Sequence, residues 1–244
     1  MQSRFPREYG SLIVDGHGIA ARPSVRPGYR GVAGAEAARH DVGMLREPSA
    51  RTEPGGFRVD AATGRLTAAR QVDSPNCDDR PPGQAPELVV VHGISLPPGE
   101  YGGPWIDALF TNALPPAAHP YFETVADLRV SAHLLVRRDG SLVQYVPFHR
   151  RAWHAGASRW RERECCNDFS IGIELEGTDA SAYERPQYAA LARLVAALCR
   201  TYPTLSPDRV VGHSDVAPGR KTDPGIAFDW PLLRTLVRLE LEAP

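Results

Sequence analysis

A short apolar segment at residues 87–93 restricts the fold of this chain more than any other feature. It reads Glu-Leu-Val-Val-Val-His-Gly, and a continuous apolar run of this length predicts a fully buried strand. His92 stands at the C-terminal end of the run, where chains leave a core and enter clefts. We therefore expect a buried strand that delivers an imidazole to the edge of the core.

Other segments predict a mixture of strands and helices. An Asp-Gly turn at 139–140 predicts a hairpin, and residues 170–176 read as another strand. Residues 186–202 and 229–241 have the apolar spacing of amphipathic helices, and 104–112 and 119–128 predict shorter ones. Strands and helices do not alternate strictly, and 22 Gly with 23 Pro argue against an all-helical bundle. The predicted fold is α/β of the α+β type, a mixed central β-sheet flanked by helices.

Composition excludes several classes of protein. Hydrophobic residues make up 42% of the 244 residues and the net charge is -1, so the chain reads as globular and not as a general nucleic-acid binder. No apolar run approaches the ~20 residues of a membrane span. The early apolar stretch at 11–14 is followed at once by Asp15, which argues against a secretory signal and favours the cytoplasm. Four cysteines without Cys-x-x-Cys spacing argue against a disulfide scaffold or an all-thiolate zinc site.

The N-terminal quarter differs from the rest of the chain. Residues 1–56 hold scattered Arg, Gly, Ala and Pro without a sustained period, which is typical of disorder. This segment could be a tail, an over-extended start site or, less readily given its acidic residues, a presequence. We therefore divide the chain into a disordered extension, residues 1–56, and a folded domain, residues 57–244.

Two imidazoles and a carboxylate are candidates for a metal site. His92 ends a strand, and His213 and Asp223 lie in one polar loop rich in Gly and Pro. Such a set is enough for a catalytic zinc with one open position. The spacing alone is weak evidence, since a histidine at a strand end is more often a hydrogen-bonded structural residue.

Two glutamates on one strand raise a second question. Glu174 and Glu176 are two residues apart and point to the same face, among apolar neighbours. Burying both carboxylates unpaired would be costly, so we expect one to pair with a cation and one to act as a base. A solvated strand face is the alternative.

The single lysine among 28 basic residues, Lys221, also attracts attention. Where arginine has replaced lysine so widely, the remaining lysine is expected at a position that needs a compact, tunable ammonium; chance survival is the alternative. A further candidate is the segment in which Trp153 and His154 precede the flexible Gly156. This arrangement suits a polar ligand, and simple packing of the indole is the alternative.

Several segments in order resemble the N-acetylmuramoyl-L-alanine amidases of the amidase-2, peptidoglycan-recognition-like family. Within that family the likeness is greatest to the cytoplasmic members that act on 1,6-anhydro-N-acetylmuramyl-L-alanine, and it extends from about Phe57 to the C-terminus. The matching segments are Val-Val-His-Gly-Ile-Ser-Leu-Pro-Pro-Gly-Glu (90–100), Gly-Gly-Pro-Trp-Ile-Asp-Ala-Leu-Phe (102–110), Leu-Arg-Val-Ser-Ala-His (128–133), Arg-Ala-Trp-His-Ala-Gly (151–156), Cys-Asn-Asp-Phe-Ser-Ile-Gly-Ile-Glu-Leu-Glu-Gly-Thr-Asp (166–179), Gly-His (212–213) and Arg-Lys-Thr-Asp-Pro-Gly (220–225).

The resemblance implies a set of roles for the candidate residues. His92, His213 and Asp223 would bind one Zn²⁺, which makes a nucleophile from water near neutral pH. Glu174 would accept and return a proton, and Lys221 would stabilise the oxyanion. The residues that it implies as substrate contacts are Arg129, Trp153, His154 and Arg220.

The resemblance also implies the biological setting. The substrate would be soluble anhydro-muropeptide from peptidoglycan recycling, and its removal would indirectly limit β-lactamase induction. We expect a monomer with no nucleic-acid or membrane partner. The chain departs from the family pattern at Gly93, usually Asn, and at Cys165, which puts details of substrate affinity in question. An inactive muropeptide-binding module and an amidase for polymeric wall are the alternatives.

Overall fold

The structure is a computed structural model that describes residues 57–243. The proposed extension, residues 1–56, lies outside the described residues. The strands of the described part are β1 (Val59–Asp60), β2 (Arg65–Leu66), β3 (Arg70–Gln71), β4 (Cys77–Asp79), β5 (Leu88–Ile94), β6 (Leu134–Val136), β7 (Leu142–Gln144), β8 (Arg150–Ala152), β9 (Arg159–Trp160), β10 (Arg163–Glu164), β11 (Ser170–Glu176) and β12 (Val210–Gly212). The α-helices there are α1 (Trp105–Phe110), α2 (Phe122–Val125), α3 (Arg185–Thr201), α4 (His213–Val216) and α5 (Trp230–Glu242).

A six-stranded mixed sheet organises the domain. Its order is β12-β5-β11-β6-β7-β3, and the pairs from β12 to β6 are parallel, whereas β6 and β7 form the predicted antiparallel hairpin. The two central strands, β5 and β11, are in a register that sets His92 directly opposite Glu174. The predicted mixed sheet flanked by helices is confirmed.

One face of the sheet packs against the two long helices. Val91 and Ile173 from the central strands join Leu194 of α3 and Leu233 of α5 in one buried cluster. Each helix begins with a hydrogen-bonded cap, and in α5 the Asp229 carboxylate accepts from the backbone N–H of Leu232 at 2.9 Å. Burial of these apolar faces, more than helix propensity, stabilises both helices.

The opposite face is divided between two smaller clusters. Ile94 joins the cluster under α1 and α2, and Val90 joins a cluster with Ala155 and Val216. His92 lies between Val90 and Ile94 on this face of β5, because side chains alternate along a strand. The fold thus leaves the imidazole between two apolar clusters.

Two local predictions need correction. The helix expected at 119–128 is limited to α2, and its N-terminal part is missing because Pro120 disfavours helical geometry at His119, which is extended. The loop expected after Gly212 begins instead with α4, where the Asp215 carboxylate accepts from the backbone N–H of Gly212 at 2.7 Å. Among the described helices, none has the length and apolar character needed to cross a bilayer.

Candidate active site

Three donor atoms from distant parts of the chain meet at one end of the parallel strands. His92 lies near the C-terminal end of β5, His213 opens α4 after β12, and Asp223 follows in the next loop. His92 Nδ1 lies 3.0 Å from His213 Nδ1 and 3.2 Å from Asp223 Oδ2. His213 Nδ1 lies 3.1 Å from the same oxygen. Tetrahedral zinc with bonds of about 2.0–2.1 Å places its ligand atoms about 3.3 Å apart, so the triangle fits that ion.

The hydrogen bonds around His213 favour a cation between the three donor atoms. His213 Nε2 faces the Ala155 carbonyl at 3.3 Å, so this nitrogen carries the ring hydrogen. In the neutral ring the Nδ1 lone pair then faces the Asp223 carboxylate, which is repulsive, and a proton or a metal ion between the two atoms removes the repulsion. His92, His213 and Asp223 therefore form a group that fits a divalent metal ion.

The local electrostatics keep His92 and Asp223 in metal-binding form. Burial, and then His213, lower the pKa of His92 to about 4, so its imidazole is neutral near pH 7. Burial raises the pKa of Asp223, but the close approach of His213 and His92 outweighs it, and the net pKa lies well below the ordinary value. Asp223 is accordingly ionised.

The two glutamates of β11 have different surroundings. Glu176 accepts from the backbone N–H of Gly102 at 2.9 Å and pairs with Arg137 at 3.3 Å. Glu174 Oε2 is buried and has no hydrogen-bond partner in the described part of the chain. Burial and the nearby Asp223 raise the pKa of Glu174 well above its ordinary value, although Lys221 acts in the opposite direction. Glu176 is thus the structural carboxylate, and Glu174 is the one available for proton transfer.

Lys221 lies at the same end of the sheet. Its side chain is buried, and its positive charge lowers the pKa of both Glu174 and His92. The backbone N–H of Lys221 donates to the Ala217 carbonyl at 3.0 Å, which fixes the start of the loop that leads to Asp223. The single lysine is therefore a neighbour of the proposed base and of a proposed ligand.

Comparison with known proteins places this geometry in a family. The family model described as N-acetylmuramoyl-L-alanine amidase matches residues 82–226. The 1,6-anhydro-N-acetylmuramyl-L-alanine amidase AmpD of Salmonella typhimurium (strain SL1344) is 61% identical over 176 residues, covering 72% of this chain and 94% of that protein. AmpD of Escherichia coli (strain K12) is 60% identical, covering 72% of this chain and 96% of that protein. A crystal structure of a selenomethionine AmpD derivative has a TM-score of 0.70 at 60% identity, covering 72% of this chain and 97% of that one.

The chain belongs to the N-acetylmuramoyl-L-alanine amidase family. The family and the hydrolase class expected from the sequence are thus confirmed. The individual site residues stay predictions, and the geometry of this amidase bears on each of them.

Two of the expected substrate contacts are engaged within the protein. The Arg220 guanidinium donates to the carbonyls of Ala155 and Ala157, both at 2.6 Å, and so holds the loop that follows His154. The His154 ring lies between His92 and Ser170, at 2.9 Å and 3.0 Å respectively. Burial, and then His92, lower the pKa of His154 well below its ordinary value, so the ring is neutral.

The other two expected contacts also have hydrogen-bond partners within the protein. Trp153 is half-buried, and its indole N–H donates to Asp78 at 3.2 Å. Arg129 is exposed after α2 and donates to the Leu128 carbonyl at 3.3 Å. Their contact with substrate stays a prediction in this amidase.

Gly93 also has a structural role in the support of the ligand loop. Gly93 faces the side of the sheet opposite His92, and a Cβ there would lie 2.4 Å from the Tyr183 hydroxyl. That hydroxyl donates to the Pro224 carbonyl at 2.9 Å, next to Asp223. Glycine therefore makes room for a tyrosine that supports the ligand loop. The sequence offers no spacing signal for this contact, since Tyr183 and Pro224 are far apart along the chain.

Proposed function

We propose that this amidase hydrolyses the amide bond between 1,6-anhydro-N-acetylmuramic acid and L-alanine in soluble muropeptides of peptidoglycan recycling. Relatives about 60% identical to the chain are 1,6-anhydro-N-acetylmuramyl-L-alanine amidases, which supports this substrate. The observation that carries the proposal is the meeting of three metal-donor atoms with Glu174, a buried carboxylate that has an unpartnered oxygen among the described residues.

His92, His213 and Asp223 would hold one zinc ion. Such an ion would act as a Lewis acid and would lower the pKa of a bound water to about 7. Imidazole nitrogens and a carboxylate oxygen are ligands that zinc prefers, and three of them leave a position open.

Glu174 is proposed as the group that moves the proton. Its Oε2 would accept a proton from the attacking water while the water oxygen bonds to the lactyl carbonyl carbon. The same carboxyl would then give that proton to the L-alanine nitrogen as the C–N bond breaks. The products are a lactyl carboxylic acid and a free peptide amine, so the atoms balance.

Lys221 is proposed to stabilise charge in the transition state. Its ammonium would donate to the oxygen on which negative charge develops as water adds to the carbonyl. A buried donor is worth more there than in water, because the local dielectric constant is low. Arg129 and Trp153 remain the proposed contacts for the sugar and stem peptide, whose carboxylates arginine can grip.

The proposal predicts metal-dependent release of stem peptide. Purified protein of known zinc content is incubated with anhydro-N-acetylmuramyl-tripeptide, and free tripeptide is measured by mass spectrometry. We expect release that stops with a chelator and returns with Zn²⁺. Bound zinc without release would favour a muropeptide-binding module instead. Equal or faster turnover of intact sacculi would favour an amidase for polymeric wall.

The setting of the reaction also stays a proposal. We place the enzyme in the cytoplasm as a monomer, where loss of its substrate would limit β-lactamase induction. Cell fractionation and size-exclusion chromatography test the first two points. Detection in the periplasm alone would contradict the cytoplasmic assignment.

A further inference from the structure

The second ring nitrogen of His92 begins a chain of hydrogen bonds that leads into the core. His92 Nε2 lies 2.9 Å from His154 Nδ1, and His154 Nε2 lies 3.0 Å from Ser170 Oγ. Ser170 Oγ in turn lies 2.6 Å from the Cys166 carbonyl oxygen. The chain therefore runs from a proposed zinc ligand to a backbone acceptor inside the core.

The backbone acceptor sets the direction of every bond. A carbonyl only accepts, so Ser170 donates its one hydrogen to Cys166 and must accept from His154 Nε2. In the neutral His154 ring Nδ1 then has a lone pair, and it accepts the hydrogen of His92 Nε2. His92 consequently keeps its Nδ1 lone pair, which points toward His213 and Asp223.

We propose that His154 is a positioning residue that fixes His92 in the tautomer whose Nδ1 can bind zinc. This inference rests on the zinc ion of the proposed function. Partners of this kind, which hold the outer nitrogen of a ligand histidine, raise metal affinity by fixing the ring orientation and tautomer.

The segment that carries His154 is itself firmly held. The Asn167 side-chain oxygen accepts from the backbone N–H groups of His154 and Ala155, at 3.1 Å and 2.8 Å. The Ala155 carbonyl accepts from His213 Nε2 and also from Arg220. One short segment thus orients both proposed zinc imidazoles, His92 through a side chain and His213 through a carbonyl.

Glycine at position 172 gives the His154 ring its place on the sheet. A Cβ at Gly172 would lie 2.3 Å from His154 Cγ, so any side chain there would displace the ring. The ring has two nitrogens, and His92 and Ser170 occupy both of them. A direct hydrogen bond from His154 to substrate would require breaking one of these contacts.

Two substitutions of His154 separate positioning from substrate contact. His154→Leu removes the acceptor for His92 Nε2, whereas His154→Asn retains a side-chain oxygen that can take the place of Nδ1. We expect His154→Leu to weaken zinc binding by about 10–100-fold, measured by competition with a chelator. Zinc affinity should return largely in His154→Asn. The d–d absorption of the Co²⁺-substituted protein should change in His154→Leu and stay close to wild type in His154→Asn.

A matched control tests for general loosening of the core. Gln144 is fully buried and hydrogen-bonded to Leu66, Gly64 and Val146, with none of the metal-site residues among those partners. Gln144→Leu should lower thermal stability and leave zinc affinity unchanged. An equal loss of zinc affinity in this control would overturn the proposal.

The remaining outcomes also decide the question. Wild-type zinc affinity and an unchanged Co²⁺ spectrum in His154→Leu, with a raised KM, would make His154 a substrate contact and refute the positioning role. If His154→Leu does not fold, Ser170→Ala serves instead, and we expect a smaller loss of zinc affinity; no loss would refute the chain. A wild-type protein that binds zinc tightly but cleaves nothing would contradict the proposed function and not this inference.

Discussion

At the scale of single residues, Lys221 must be both positively charged and compact. Burial, and then Asp223, raise the pKa of Glu174. The positive charge of the nearby Lys221 acts against that rise. An arginine would bring a permanently charged, planar group of greater width into a buried space. The position therefore calls for a compact cation, in a chain that otherwise uses arginine for its basic residues.

Replacing this lysine should separate catalysis from metal binding. We expect Lys221→Arg to keep its zinc and to lose activity by about 10²–10³-fold, since a misplaced donor no longer meets the developing oxyanion. Zinc content by elemental analysis and turnover of anhydro-N-acetylmuramyl-tripeptide give the two readouts. Turnover near that of wild type would remove Lys221 from the mechanism.

At the scale of elements, a small ribbon anchors the start of the segment that carries His154. Strands β4 and β8 pair in antiparallel fashion, and Arg151 in β8 donates to both carboxylate oxygens of Asp78 in β4, at 2.7 Å and 2.5 Å. The Trp153 indole donates to the same carboxylate. His154 directly follows Trp153 and lies two residues after the end of β8, so the ribbon determines where the His154 segment begins.

The Asp78 carboxylate of this ribbon should make the free energy of unfolding depend on pH. Burial raises the pKa of Asp78, but hydrogen bonds from Arg151 and Trp153 outweigh it, so that pKa lies below its ordinary value. The unfolded chain then binds the proton more readily, and the stabilisation is present above about pH 4 and is lost as pH falls further. We expect Asp78→Asn to lower the free energy of unfolding at pH 7, with the difference from wild type shrinking toward pH 3. Denaturant titrations at both pH values measure this, and a constant difference would contradict it.

Much of the element pattern could be predicted from sequence, and the reasons are local. Short apolar runs and an Asp-Gly turn specify β5, β11 and the β6–β7 hairpin through burial and turn chemistry. The helix predicted at 119–128 is longer than α2, in part because Pro120 keeps His119 extended. The roles of Ser170, Asn167 and Tyr183 could not be predicted, since small polar or isolated aromatic residues have no spacing signal. Their contacts arise only from the tertiary arrangement of the strands and loops.

At the scale of the whole molecule, parallel strands explain why the site residues are so far apart in sequence. The parallel pairing of β12, β5 and β11 brings their C-terminal ends to one edge, and residues 92, 174 and 213 lie at or beside those ends. Open sheets of this kind commonly bind ligands outside the carboxyl ends of their strands. The sheet topology thus brings together candidate residues that are far apart in the sequence.

The same topology predicts that the domain from residue 57 onward is sufficient for activity. The sheet, its packed helices and every proposed catalytic or metal-binding residue fall within residues 57–243, and the family match begins at residue 82. We expect a chain lacking residues 1–56 to keep its zinc, because no proposed site residue lies in the removed segment. Its turnover of anhydro-N-acetylmuramyl-tripeptide should stay within about twofold, which corresponds to about 0.4 kcal/mol in the activation free energy. Steady-state kinetics of the full and shortened chains provide the test, with zinc content measured in parallel. A large fall in kcat/KM at unchanged zinc content would show that the N-terminal segment contributes to the site, and would contradict the division of the chain at residue 56.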